Sequence, residues 1–165
     1  MNWEAISAIG QIVGAIAVVA TLLYLSRDIR DNSRSLAVSA LRDTTEQWNH
    51  WGALVAQSAD LAEIVERGNK SLSDLTGAEA LRYGAYVQSF FDIAESYRRL
   101  IRDYKIGRDL AVLEAIVTRR LALPGFAKWW QENTQDYDPA FVSWIEKIRA
   151  ATPVADRLGE FQSPG

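Results

Sequence analysis

The side chains able to do chemistry are few in this sequence. The single histidine, His50, follows Glu46 by four residues and lies between Trp48 and Trp51. On a helix that spacing puts carboxylate and imidazole on one face. A carboxylate-bridged metal pair needs converging Glu-x-x-His motifs, but position 47 is Gln and position 49 is Asn. His50 therefore reads as a surface or interface residue, and no metal site is expected. Asp92, Glu95 and Arg99 also share one helix face. Two carboxylates so placed are the raw material of acid–base catalysis. With no nucleophile, phosphate loop or second motif beside them, they read as an intrahelical salt-bridge row. Arg98, Arg99, Arg102, Lys105 and Arg108 give the same helix a basic end, which complements the helix dipole or faces anionic headgroups. There is no cysteine, which removes disulfides, thiol catalysis and thiolate metal sites. The sequence thus offers no catalytic, cofactor-binding or metal-ligating set.

The stretch around which the rest is organised is Ala5 to Leu25, which carries no charge and holds ten Ile, Val or Leu residues. At about 1.5 Å per residue it makes a helix of about 31 Å, the thickness of a hydrocarbon core. It is apolar all round, unlike the one-sided core helix of a soluble domain. Trp3 and Tyr24 stand at its two ends as interfacial anchors, and Arg27, Arg30 and Arg34 follow it. By the positive-inside rule these arginines put the C-terminal part in the cytoplasm and the N-terminus outside. No basic residue precedes the run, it is longer than a signal-peptide core, and LSRD is no cleavage site, so the segment is expected to be retained. Asp28 and Asp31 dilute the basic character, so no polybasic lipid site is signalled.

Within the span, Ser7, Gln11, Gly14, Val18 and Thr21 recur at steps of four and three, and Gly10 with Gly14 forms GxxxG. Small residues let a second helix approach, and Gln11 can bond across the contact, so the stripe reads as a helix-packing surface. A pore lined by Gln11 and Thr21 is the sharper alternative, although no ionisable ring marks an ion path.

Beyond the span the patterning is helical throughout. No strong breaker stands between Asp28 and Gln57, with Asn32 and Ser33 the best place for an interruption. Ala37, Leu41, Thr44, Trp48, Trp51 and Val55 there define a face expected to be buried. A short helix follows, with Asp60 as N-cap, Glu63 in the capping-box position and Gly68 as its stop, and then a loop over NKSLSD. Thr76 and Glu79 make a second capping box that opens the longest soluble helix, Gly77 to Tyr104. Its expected inner stripe is Tyr83, Val87, Phe90, Ala94, Tyr97, Ile101 and Tyr104, and Gly107 ends it. Arg108 to Leu121 forms the next helix, with Leu110, Leu113, Ile116 or Val117, and Leu121 inward. Pro124 starts a helix through Gln131, and Asp138 with Pro139 starts one through Ala150, with Phe141, Trp144, Ile145 and Ile148 apolar. Adjacent Trp129 and Trp130 cannot both face one core, which makes this pair a candidate partner interface. From Thr152 the tail is expected to be loosely held. The fold class is therefore all-α, a single N-terminal transmembrane helix followed by a cytoplasmic bundle of about five helices. The parts are an anchor at 1–27, a helical domain at 28–151 and a tail at 152–165.

The order of these features resembles a large, uncharacterised group of small bacterial single-span proteins. Its pattern joins a WEAIxAIGxIVGAIAVVxTLxYL span, IRxN, LTxxE, FFxxxExxY and PGxxxWW. The matching pieces are Trp3 to Leu25, Ile29 to Asn32, Leu75 to Glu79, Phe90 to Tyr97 and Pro124 to Trp130, covering nearly the whole chain. The resemblance implies a bacterial inner-membrane protein and brings no activity with it.

The expected function is a non-enzymatic, membrane-anchored assembly module, either a homo-oligomer or an accessory subunit of a larger membrane complex. Its partners are membrane lipid and itself or other subunits. A net charge of −3 argues against a nucleic-acid partner. The alternatives are a homo-oligomeric pore and an enzyme with an unrecognised site on the bundle.

Overall fold

The computed structural model describes residues 3–104 and 110–151, and of residues 4–10 the backbone alone. Among the described residues there are six α-helices, two short 3-10 turns and no strand. The helices are α1 (Trp3–Gln57), α2 (Ala59–Lys70), α3 (Gly77–Tyr104), α4 (Leu110–Leu121), α5 (Pro124–Asn133) and α6 (Pro139–Ala151). The expected stop at Gly107, the start at Arg108, Lys105, the tail from Thr152, and the side chains of Ser7 and Gly10 lie outside the described residues. The chain divides into two compact units, Met1–Ala40 and Leu41–Gly165.

In the first unit α1 passes through Asn32 and Ser33 without a break. Neither glycine nor proline occurs between Ala15 and Trp51, and isolated Asn and Ser residues lose only a few tenths of a kcal/mol each in a helix. The helix ends at Gln57 because Ser58 turns to extended geometry and becomes the N-cap of α2, its Oγ accepting from the Leu61 N–H at 3.2 Å. The cap is thus two residues earlier than Asp60, which sits instead in the first turn, where its charge favours the dipole.

The second unit is built on α3. Buried along it are Tyr83, Tyr86, Val87, Phe90, Phe91, Ile93, Ala94 and Tyr97. This face is wider than a single stripe, because helices cover α3 from more than one side. Tyr104, expected inside, is 47% exposed. On α1, Trp51 stacks on Tyr86 with centroids 4.6 Å apart and donates its indole N–H to the Tyr86 carbonyl at 2.9 Å. Trp48 meets Phe90 edge-on at 5.3 Å. The face predicted around Leu41, Thr44, Trp48, Trp51 and Val55 is indeed buried or half-buried. On α4, Leu113, Val117 and Leu121 are buried, so Val117 rather than Ile116 takes the inward position. Helix α6 buries Phe141, Trp144, Ile145 and Ile148, as its spacing predicts. Asp138 caps it, accepting from the Ala140 N–H at 2.8 Å.

Two glycines allow a close approach between α2 and α5. Gly68 does not end α2, which continues to Lys70. It lies inside the helix directly under the Tyr83 ring, and a Cβ there would overlap that ring. A Cβ at Gly125, in the first turn of α5, would overlap the Gly68 carbonyl oxygen and come within 2.9 Å of the Tyr83 hydroxyl. That hydroxyl donates to Asn69 Oδ1 at 3.0 Å. The α2–α5 contact is therefore backbone on backbone, closed over by one tyrosine.

The α2–α3 connection is held by charge. Arg67 donates to both carboxylate oxygens of Glu79 and, at 3.1 Å, to the Asp74 carbonyl. Glu79 also accepts from the Thr76 N–H at 2.9 Å, the capping box read from the sequence. The Arg67 guanidinium first, and the Thr76 hydrogen bonds after it, hold the Glu79 carboxyl down at about 2.

Gly125→Ala is expected to destabilise the chain by about 1–3 kcal/mol, as overpacking does. Gly77→Ala, whose Cβ would meet nothing within 4 Å, should shift stability by no more than about 0.5 kcal/mol. Chemical denaturation followed by tryptophan fluorescence measures both. A second expectation concerns acid. Since Glu79 sits at about 2 when folded against an ordinary 4.5, the unfolded chain binds the extra proton between those values. The stability from this contact is complete above 4.5 and drains away as pH falls towards 2. Glu79→Gln should flatten the fall of Tm over that window in circular-dichroism melts, and an unchanged slope would count against the assignment.

Candidate functional site

Each unit offers one kind of surface. In the first, every side chain from Gln11 to Leu36 is exposed. Large apolar groups stand in the open, Leu23 at 68% and Tyr24 at 74%. The most apolar 18-residue window has a mean hydropathy of 1.8, and none of it is buried. By length and composition this is a helix able to cross a membrane. Gln11, Gly14, Val18 and Thr21 from the expected stripe, and the expected anchors Trp3, Tyr24, Arg27 and Arg30, all lie on this exposed helix. A Cβ on Gly14 would meet nothing within 4 Å, so nothing described in this chain needs that glycine small. The Thr21 hydroxyl donates back to the Ala17 carbonyl at 2.8 Å. Its proton is thereby satisfied inside the helix.

Exposed apolar residues also continue past the uncharged stretch, at Ile29, Leu36 and Val38. Steps of four and three followed from Leu22 through the arginines reach Ile29 and Leu36, while Val38 stands off that line.

In the second unit Glu95 is engaged in holding the fold. Glu95 accepts from the Asp138 backbone N–H at 3.0 Å, tying α3 to the start of α6, and its other oxygen lies 3.7 Å from Arg99. Of the expected salt-bridge row, among the described residues, the Glu95–Arg99 pair is present, Asp92 takes no part in it, and a cross-helix tie is added. Asp92 is raised by burial first, the neighbouring Tyr137 hydroxyl opposing this and Glu95 and Asp136 adding repulsion. Among the described residues the buried Tyr137 hydroxyl has no hydrogen-bond partner. Burial, then Asp92, pushes the phenol pKa up, so it stays protonated.

His50, Asp43, Glu46, Ser89 and Asp92 line one open groove of about 660 Å³ beside Trp51. Glu46 faces Arg42 at 3.3 Å. Among the described residues no group of three or more His, Asp or Glu side chains is placed to hold a metal ion. The basic end of α3 is likewise divided among packing roles. Arg98 lies over the Trp144 ring at 5.1 Å, and Arg102 pairs with Asp103 at 2.7 Å.

The tryptophans are separated by burial. Trp130 is 0% exposed, donating to Glu146 Oε1 at 2.9 Å and packed on Phe91 at 4.6 Å. It belongs to the core and cannot serve as partner interface. Trp129 is half-buried, parallel to the Phe91 ring at 5.9 Å and close to Gly84, so any interface role on this pair falls to Trp129 alone. Trp144 donates to Glu114 Oε1 at 3.1 Å, and Arg120 lies 4.9 Å over the Trp51 ring.

No family model, curated protein or solved structure matches the chain.

Glu95→Ala is expected to cost about 1–2 kcal/mol of stability by leaving the Asp138 N–H without its acceptor, whereas Glu95→Gln, which keeps an oxygen there, should cost less. Denaturant unfolding of the two variants side by side measures the difference, and equal losses would show that charge rather than the hydrogen bond matters.

Proposed function

We propose that the chain is a membrane-anchored, non-enzymatic helical module that works by assembly, as a homo-oligomer or as an accessory subunit of a larger membrane complex. The observation that carries this reading is the contrast between the two units. The bundle buries its own aromatic residues, while the apolar side chains of α1 from Gln11 to Leu25 meet nothing in the described chain. Leaving so much apolar surface in water costs about 25 cal/mol per Å², and a hydrocarbon layer relieves it. Lipid is therefore one partner.

The arginines after Tyr24 support a cytoplasmic bundle and an outside N-terminus. The resemblance to small bacterial single-span proteins supports the inner membrane of a bacterium as the location. The non-enzymatic part rests on where the polar groups are spent: Glu95, Glu114 and Glu146 each accept a bond that fixes a helix or an indole. The pore alternative draws no support from Thr21, whose proton is turned onto its own helix.

Expressed in a bacterial host, the chain should stay in the inner-membrane fraction through an alkaline wash. After gentle extraction, native mass spectrometry should give a mass above one copy. Release by the wash would overturn the anchor, and a bare monomer would overturn assembly. Gly14→Ile should lower the assembled fraction without changing membrane retention.

A further inference from the structure

Every side chain of α1 from Gln11 to Leu36 is exposed, and within that surface one line can be followed at a period of 3.5. Alternating steps of four and three pick out Val18, Leu22, Leu25, Ile29, Asn32 and Leu36, and one further heptad back from Val18 stands Gln11. All are exposed in the single chain, Ile29 at 57% and Leu36 at 62%. The last three lie beyond the uncharged stretch, among Arg27, Asp28, Arg30, Asp31 and Arg34, where hydrocarbon does not reach. Lipid accounts for Leu22 and Leu25 but not for Ile29 and Leu36.

The charges respect the line. At about 100° per residue, Arg27, Arg30, Asp31 and Arg34 fall on the far side of the helix, and Asp28 stands on its flank. An apolar line of period 3.5 with charges opposite is the pattern of a helix packed lengthwise on another in a left-handed supercoil. Between Gln11 and Leu25 the helix is apolar all round, so the pattern is carried past Leu25, where Ile29 and Leu36 stay on the line while the charges leave it.

The chemistry of the line also says what covers it. It carries no charge, so like residues can face each other without repulsion. Its polar members, Gln11 and Asn32, have amide side chains that both donate and accept, and so can bond to their own copies. Such a surface is self-complementary. One polar amide in an apolar line also fixes register, because any slip leaves it facing a hydrocarbon side chain.

We infer that α1 is a self-pairing seam, in which Val18, Leu22, Leu25, Ile29, Asn32 and Leu36 of one copy meet the same residues of a second, parallel copy, with Asn32 against Asn32. The inference rests on the assembly reading above and names its partner. Gly14 and Thr21 flank the line, so the small residues of the span let the two helices close on one another.

The chain has no cysteine, so single replacements report cleanly. Leu25→Cys, Ile29→Cys and Leu36→Cys on the seam are to be compared with Arg27→Cys, Arg30→Cys and Arg34→Cys on the far side. In native membranes, with copper-phenanthroline as oxidant, disulfide-linked dimer should form several-fold more on the seam. Adding Asn32→Asp sets two carboxylates face to face and should lower the Ile29→Cys dimer several-fold, while Asn32→Gln should largely preserve it. Equal yields on both sides, or no dimer from membranes that contain the chain, would overturn the seam and leave the anchor standing. Seam-periodic dimers in chain recovered from the soluble fraction would support the seam and remove the anchor.

Discussion

The bundle depends on one close approach, the place where Gly125 of α5 lies on the Gly68 carbonyl of α2 beneath the Tyr83 ring. Because neither residue has a Cβ, α5 can begin in contact with the α2 backbone, and the turn set by Pro124 carries Phe126 into the centre. Phe126 then meets Tyr86 at 6.2 Å and Phe90 at 5.4 Å, and Phe91 passes the packing on to Trp130 at 4.6 Å and Tyr137 at 6.2 Å. Edge-to-face and offset geometries prevail, as the ring quadrupole favours. A wider separation at the glycines would move Phe126 away from all of these rings together.

A core so rich in aromatic residues brings polar atoms with it, and their satisfaction explains where the carboxylates go. Trp51, Trp130 and Trp144 each bury an indole N–H that needs an acceptor. They find the Tyr86 carbonyl, Glu146 and Glu114. Glu95 serves a backbone N–H, and Glu79 serves a helix start and Arg67. These glutamates are thus held in structural contacts. One long surface is not consumed by the fold.

That surface is α1 before Ala37. Where the bundle closes its apolar residues upon themselves, the helix leaves Ile12, Ile16, Leu22, Leu23 and Ile29 uncovered. The two conditions ask for different solvents. The proposed anchoring meets the first part of the demand with hydrocarbon, and the proposed pairing meets the remainder with a copy of the same helix.

Much of this was legible in the sequence, because it depends on neighbours along the chain. The uncharged length from Ala5 to Leu25, the Thr76–Glu79 box, the Asp138–Pro139 start and the apolar spacing of α6 are all local patterns, and the helices follow them. What depends on neighbours in space was not legible. Gly68 looked like a helix stop because glycine ends helices, and only the Tyr83 ring above it shows why a glycine stands inside α2. Asp60 looked like a cap until Ser58, nearer the break, took the role. Of Trp129 and Trp130, the sequence determined that one must turn away from the core, since neighbours on a helix lie about 100° apart. Only the tertiary structure decided that Trp130 goes in, because Glu146, sixteen residues on, supplies the acceptor its indole needs.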